Sequence, residues 1–140
     1  MRFLELFEAA WQRQWRNTQT LPIGHKLYHG THAVFEPEDD ELIAPAWFSS
    51  SPSVAKHFAR GGRVLPYEVV APIKLPVITT KREREDFREM FGIEGDSAED
   101  LADDMLRSGL PGWIIPNNYP DGDDILLVKL GNVRRTLVAR

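Results

Sequence analysis

Three histidines close together in the chain are the first side chains to consider for chemistry. His25, His29 and His32 follow the spacing His-x-x-x-His-x-x-His, and imidazole is the commonest metal ligand in proteins. The segment has strand character, however, and side chains three residues apart on a strand point to opposite faces. The chain contains no cysteine and no His-Glu-x-x-His pattern that would complete a zinc site. We therefore expect no metal here.

Two elements are predicted near the N-terminus. Leu4, Phe7, Trp11 and Trp15 recur at intervals of three and four residues, which predicts an amphipathic helix over about residues 3–16 that packs its aromatic stripe on the domain. A short strand is predicted over residues 26–32. His29 therefore lies near the end of a strand.

The middle of the chain contains signals for a loop, a helix and several strands. The acidic stretch within residues 34–45 predicts a surface loop, and residues 46–49 predict a short strand. Ser50 or Ser51 before Pro52 is a typical N-cap, and a helix should then run to about Arg60. Residues 64–78 are rich in strand formers but contain three prolines. This predicts edge or bent strands rather than central ones.

The second half of the chain predicts two more helices and a strand pair. Residues 82–91 and 97–107 have helical patterns, the latter beginning with a Ser97-x-x-Asp100 cap and closing at Gly109. Residues 112–115 and 123–128 form a strand pair around a turn at 119–122. Helices and strands mix without regular βαβ alternation, so the fold class is α+β. A length of 140 residues predicts a single domain spanning 1–140.

Composition narrows the classes of function. The formal net charge of −4 disfavours non-specific binding to nucleic acid, which needs a positive surface. Lys81, Arg82, Arg84 and Arg88 offer a local basic patch, although neighbouring acids favour a solvated face. The first residues include Glu within the apolar run, which is not typical of a signal peptide, and no stretch approaches the ~20 apolar residues that span a bilayer. We expect a cytoplasmic monomer without a membrane partner.

Two stretches of the chain resemble signature segments of a known enzyme class. Leu27-Tyr28-His29-Gly30-Thr31, and the stretch from Ala46-Trp47-Phe48-Ser49-Ser50 to Ala59, are similar to two of the three segments of the diphtheria-toxin-like and poly(ADP-ribose)-polymerase-like ADP-ribosyltransferases, the H-Y-E class. The resemblance covers residues 26–60 and, more weakly, 109–136. It implies split antiparallel β-sheets with flanking helices, in a small member of the bacterial or phage type.

The resemblance implies roles for the first segment in binding NAD. His29 would bond the ribose of the nicotinamide half, and the backbone of Gly30 would pair with the nicotinamide amide, since glycine lets a ligand approach closely. Thr31 would support the adenosine-side ribose or the loop. Tyr28 belongs to the same segment and is expected to line the NAD-binding cleft.

The second segment would supply aromatic surfaces for the nicotinamide ring. Trp47 stands where the family has its motif tyrosine, and stacking on a flat cationic ring is favourable by about 1 kcal/mol or more per face when water is excluded. Phe58 is the candidate for the second face, with His57 as the alternative. Ser49 is expected to bind NAD in the same cleft, whereas Phe48 is expected in the core.

The third family element is an acidic residue at the start of a late strand, which bonds the ribose 2′-hydroxyl and stabilises the cationic state formed as nicotinamide leaves. Asp124 is the first choice for this role, with Asp123 second and Asp121 third. Asp is one methylene shorter than Glu, so reach or activity is affected. A turn-forming Asp-Gly-Asp-Asp run is the other interpretation.

The resemblance therefore implies a mono-ADP-ribosyltransferase that uses NAD as a substrate, in a toxin, an effector or a housekeeping enzyme. Its acceptor, a protein, nucleic acid or small molecule, is not fixed by the sequence, although a macromolecule is expected. Two alternatives stay open. One is a catalytically weak or inactive module that binds NAD or ADP-ribose on the same fold. The other is an RNA 2′-phosphotransferase, which the negative charge and the lack of a clustered basic groove disfavour.

Overall fold

The structure is a computed structural model that describes residues 10–31, 45–119 and 122–136. The helices are α1 (Trp11–Gln14), α2 (Pro52–Ala59), α3 (Lys81–Phe91) and α4 (Ala98–Arg107). The strands are β1 (Thr18–Leu21), β2 (Lys26–Thr31), β3 (Ala46–Phe48), β4 (Arg63–Val69), β5 (Ile73–Pro76), β6 (Gly112–Tyr119), β7 (Gly122–Leu127) and β8 (Val133–Arg135).

The strands form three small antiparallel sheets with the orders β1-β5, β2-β4-β8 and β3-β7-β6. Two isolated bridges join them. Tyr28 pairs with Ser49 between the second and third sheets, and Val77 pairs with Ile114 between the first and third. Small antiparallel sheets with separate helices make the fold α+β, which confirms the fold class expected from the sequence.

The core consists of two clusters on opposite faces of the β3-β7-β6 sheet. Alternation along β3 and β7 sends Phe48 and Ile125 to one face, and Trp47 and Leu126 to the other. The inner cluster lies between this sheet and the β2-β4-β8 sheet and comprises Leu21, Leu27, Ala46, Phe48, Leu65, Tyr67, Val69, Ile73, Leu75, Val77, Ile114, Ile125 and Leu127. The helix-side cluster comprises Trp11, Ile78, Phe87, Ile93, Leu101, Ala102, Met105, Leu110, Trp113, Ile115, Leu126 and Val128.

Local capping explains the bounds of α3 and α4. The Thr80 hydroxyl accepts a hydrogen bond from the Glu83 N–H at 3.0 Å, and the Ser97 hydroxyl accepts one from the Asp100 N–H at 3.1 Å. These bonds satisfy N–H groups that have no partner within the helix. Gly92 ends α3 in the left-handed region at φ 65°, where glycine has no steric cost. The observed bounds of both helices confirm the sequence prediction to within one residue.

The N-terminal helix is shorter than predicted at its C-terminal end. Helix α1 ends at Gln14, and Trp15 is extended with φ −119° and ψ 109°. The Trp15 indole donates to the Val77 carbonyl at 3.0 Å, and the Asn17 carbonyl accepts from the Val77 N–H at 2.8 Å. This pairing leads the chain into β1, a strand that the sequence did not predict. Trp11 is buried in the helix-side cluster, whereas residues 3–9 lie outside the described ranges.

The prediction of edge or bent strands is wrong for β4, which is the middle strand of its sheet. Pro66 lies opposite Tyr28, and its carbonyl accepts from the Thr136 N–H at 3.0 Å. In an antiparallel strand the N and C=O of one residue point to the same edge. The ring nitrogen of Pro66 therefore points to the edge beside β8, just past its last residue Arg135, and not to the edge beside β2. The missing N–H therefore costs no bond to β2.

Strand β5 does lie at an edge, with Pro76 as its last residue. The acidic loop predicted over residues 34–45 lies almost entirely outside the described ranges. Among the described residues, no helix is long and apolar enough to cross a membrane.

Candidate active site

The β2-β4-β8 and β3-β7-β6 sheets meet at what we call the junction, formed by residues 28–31 of β2 and 47–51 at the end of β3. Tyr28 and Ser49 exchange two backbone hydrogen bonds of 2.8 and 3.0 Å. Beyond this bridge the contact continues through a side chain, because His29 Nδ1 lies 2.7 Å from the Trp47 carbonyl oxygen. The two sequence segments that resemble family motifs are therefore in direct contact.

The hydrogen bond of His29 fixes which ring nitrogen carries the proton. A carbonyl oxygen only accepts, so the Nδ1–H of His29 must donate to Trp47. In the neutral ring, Nε2 then has a lone pair for another partner. The ring packs beside Phe48 with centroids 5.7 Å apart and is half-buried. The imidazole is held in one orientation and one tautomer.

Gly30 is required by the helix that crosses it. A Cβ at this position would lie 2.0 Å from the Ala55 carbonyl oxygen and 2.8 Å from the Ala59 nitrogen, both backbone atoms of α2. Because backbone groups alternate along a strand, the N–H and C=O of Gly30 face the same edge of β2 as those of Tyr28. That edge faces β3, beside the bond between His29 and Trp47.

The acidic segment meets the junction through Asp123. Its Oδ1 accepts the Ser49 hydroxyl at 2.9 Å and the Ser50 N–H at 2.7 Å. The Ser49 oxygen in turn accepts the Ser51 N–H at 3.1 Å, and Ser49 is 0% exposed. These bonds fix the orientation of the carboxylate and join all three predicted segments at one place.

Asp124, the first choice from the sequence, occupies the opposite face of β7. It pairs with Ile115 and is 7% exposed, and it lies on the same side of the sheet as Leu126, the partner of Trp47. Asp121 lies outside the described residues. Asp123 is thus the acidic residue that bonds the second segment, and Asp124 is the one that shares a face with Trp47.

The predicted aromatic residues lie on different elements. The half-buried Trp47 indole packs against the helix-side cluster. Phe58 is half-buried and His57 exposed on α2, with their rings 6.4 Å apart. Thr31 is half-buried at the end of β2. Phe48 is fully buried, which confirms its prediction as a core residue.

One contact beside the junction was missed by sequence reasoning. His25 Nε2 lies 2.9 Å from the Ser50 hydroxyl oxygen. In the sequence His25 was considered only as a metal ligand, and no local pattern links it to a serine 25 positions away. Within the described ranges, which exclude His32, no group of three His, Asp or Glu side chains is placed to hold a metal ion.

The protein is therefore an α+β protein in which two small antiparallel sheets meet at one bridge, next to His29 and the Asp123 carboxylate. No family model and no curated protein matches the sequence. The fold is similar to that of a chain in the crystal structure of the MbcT–MbcA toxin–antitoxin complex of M. tuberculosis, with a TM-score of 0.50 and 11% sequence identity over 84% of each chain. The fold of this protein is therefore one that also occurs in a toxin–antitoxin complex.

Proposed function

We propose that this protein is a mono-ADP-ribosyltransferase that cleaves the nicotinamide glycosidic bond of NAD and transfers ADP-ribose to an acceptor, most simply a macromolecule. The observation that carries the proposal is the convergence of three separate segments at the junction. The hydrogen bonds from His29 to Trp47 and from Ser49 to Asp123 connect residues 18 and 74 positions apart. The resemblance to ADP-ribosyltransferases rests on these same segments.

In this proposal His29 and Gly30 bind the nicotinamide half of NAD. His29 Nε2 is the ring nitrogen not used by Trp47, and a lone pair there accepts a ribose hydroxyl. The Gly30 N–H and C=O complement the donor and acceptor of a carboxamide. Tyr28 and Thr31 flank these groups, while Trp47 and Phe58, or His57 in its place, provide aromatic surfaces.

The proposal assigns the acidic role to Asp123. Bond cleavage leaves positive charge on the ribose, and a carboxylate already oriented toward it stabilises that charge without reorganising. The Ser49 hydroxyl and the Ser50 N–H hold Asp123 Oδ1, so Oδ2 is the oxygen directed to substrate. Asp124 remains the alternative on the strength of its position on the face of Trp47.

The test is an assay of nicotinamide release from NAD, together with transfer of a labelled NAD analogue to a cell lysate. His29→Asn is the informative variant because an Asn amide nitrogen can replace Nδ1 as the donor to Trp47 while Nε2 is lost. We expect it to fold and to lose about 100-fold or more in release rate. Asp123→Asn should lose a similar factor, and Asp124→Asn less.

Each outcome separates the functions under consideration. Release and labelling that disappear in His29→Asn support the transferase, and release without labelling identifies an NAD glycohydrolase. Binding of NAD without release supports the binding module, which is favoured by the two donors that already occupy Asp123 Oδ1. Asp124→Asn losing more activity than Asp123→Asn would return the acidic role to Asp124.

The likeness to a chain of a toxin–antitoxin complex supports a further part of the proposal, that the protein acts as a cytoplasmic toxin neutralised by a protein partner. Expression of the wild-type chain should then slow the growth of the producing cells. His29→Asn, expressed to the same level, should not. Equal growth with both chains would contradict the toxin assignment.

A further inference from the structure

A serine and a histidine form a pair at the margin of the junction. Ser50 Oγ and His25 Nε2 are 2.9 Å apart, and both residues are half-buried. When the one proton of the neutral His25 ring is on Nδ1, Nε2 accepts a hydrogen bond from the Ser50 hydroxyl. A histidine in this position makes serine a better nucleophile, because it removes the proton as the oxygen attacks.

The pair lies next to the proposed NAD-binding groups. Ser50 directly follows Ser49, which bridges β2, and the Ser50 N–H bonds Asp123 Oδ1 at 2.7 Å. His25 precedes β2, and its carbonyl accepts the Val69 N–H at 3.0 Å, so the pairing with β4 extends to it. The backbone of Ser50 is therefore bonded to the carboxylate that would face the reacting ribose carbon.

Neighbouring serines do not share this arrangement. The Ser49 hydroxyl is fully buried and donates to Asp123. The hydroxyls of Ser51 and Ser53 bond each other at 3.0 Å on the surface. Within the described residues, Ser50 is the member of this group whose hydroxyl contacts an imidazole.

We propose that Ser50 is itself an acceptor of ADP-ribose, with His25 as its general base. The bond between nicotinamide and the ribose C1 breaks, and its electron pair leaves with nicotinamide. The Ser50 oxygen bonds the same carbon, and its proton passes to His25 Nε2. This inference rests on the proposed function, since NAD is the donor, and it adds a hydroxyl group as the class of acceptor and the chain's own Ser50 as the first one.

The test incubates the purified full-length chain with NAD and measures intact mass and released nicotinamide in the same sample. We expect a gain of one ADP-ribosyl unit, located on Ser50 by fragmentation. Ser50→Ala should lose the gain, Ser50→Thr should retain part of it, and Ser53→Ala is the matched control that keeps it. Denaturation midpoints establish that each variant is folded.

The role of His25 as a base has a separate test, whose expected result does not follow if His25 is only structural. His25→Ala should slow modification of Ser50 about 100-fold, the usual size of a general-base contribution. Added imidazole should restore part of the rate in His25→Ala and leave the wild type unchanged. A slow variant that imidazole does not rescue would overturn the role of His25 as the base.

The remaining outcomes distinguish this inference from the function on which it rests. Nicotinamide released without a mass gain, or a mass gain on a residue other than Ser50, overturns the inference and leaves the transferase intact. Absence of both release and mass gain overturns both.

Discussion

Strand β3 has two antiparallel neighbours that contact it in different ways. On one side, β7 pairs with it residue by residue from Ala46 to Phe48, with apolar side chains packed on both faces. On the other side, β2 meets the end of β3 at one bridge, between Tyr28 and Ser49. Next to this bridge, β2 contacts β3 through a side chain, because the His29 ring donates a hydrogen bond to the Trp47 carbonyl.

The difference shows how this fold leaves polar groups available beside a strand. A complete ladder consumes the backbone donors and acceptors and fills the adjacent space with apolar side chains. Where the ladder is interrupted, polar side chains bond the strand edge and hold it in place. His29 and Asp123 do so here, and they are also residues to which we assign binding and catalysis.

The largest effect should come from Gly30→Ala, which breaks the junction. The new Cβ would meet the α2 backbone at 2.0 Å, and backbone cannot rotate away as a side chain can. We expect a loss of about 3 kcal/mol or more in the free energy of unfolding. Gly131→Ala is the control, since nothing lies within 4 Å of its Cβ position, and it should change stability by less than about 0.5 kcal/mol. Similar urea midpoints for the two variants would contradict this account.

A smaller effect, in activity as well as stability, is expected from Ser49→Ala. The change removes the donor to Asp123 and the acceptor of the Ser51 N–H, and a buried group left without its partner costs about 1–3 kcal/mol. Because Asp123 loses part of its orientation, NAD cleavage per folded molecule should fall by about 10-fold.

The matched variant for Ser49→Ala lies in the complete ladder. Ile125→Val, opposite Phe48, should cost about 0.5–1.5 kcal/mol and keep the rate of nicotinamide release. If both variants lowered stability and activity in the same proportion, the junction would have no role distinct from that of the core.

The smallest effect concerns acid stability and lies in the helical layer. The backbone N–H groups of Gly95 and Glu94 bond the Asp104 carboxylate and lower its pKa from the ordinary value of 3.8. Stability from this group is complete above the pKa of the unfolded chain and is lost as pH falls through the lower pKa of the folded state. Asp104→Asn should therefore lose less stability than the wild type as the pH falls from about 5 to below 3.8, measured as urea midpoints. Identical pH dependence in the two chains would contradict this attribution.

The sequence predicted elements best where the signal was local. The Ser97 cap and the Pro52 start of α2 lie within one helical turn of the residues that they control. The prediction failed where a distant partner decided the outcome. Trp15 lies outside the helix because its indole bonds the Val77 carbonyl. Pro66 fits a central strand because its ring nitrogen points to the edge beside the end of β8 and not to β2.

For the candidate site, the sequence identified all three segments but not how they meet. The resemblance to ADP-ribosyltransferase segments, read in chain order, selected His29, Trp47, Ser49 and a late aspartate. The choice between Asp123 and Asp124 depends on which face of β7 approaches the end of β3, and the pairing of His25 with Ser50 depends on the register between β2 and that same turn. Hydrogen bonds of this kind form between residues far apart in the chain, so they follow from long-range packing, whereas caps and periodicity are written in neighbouring residues.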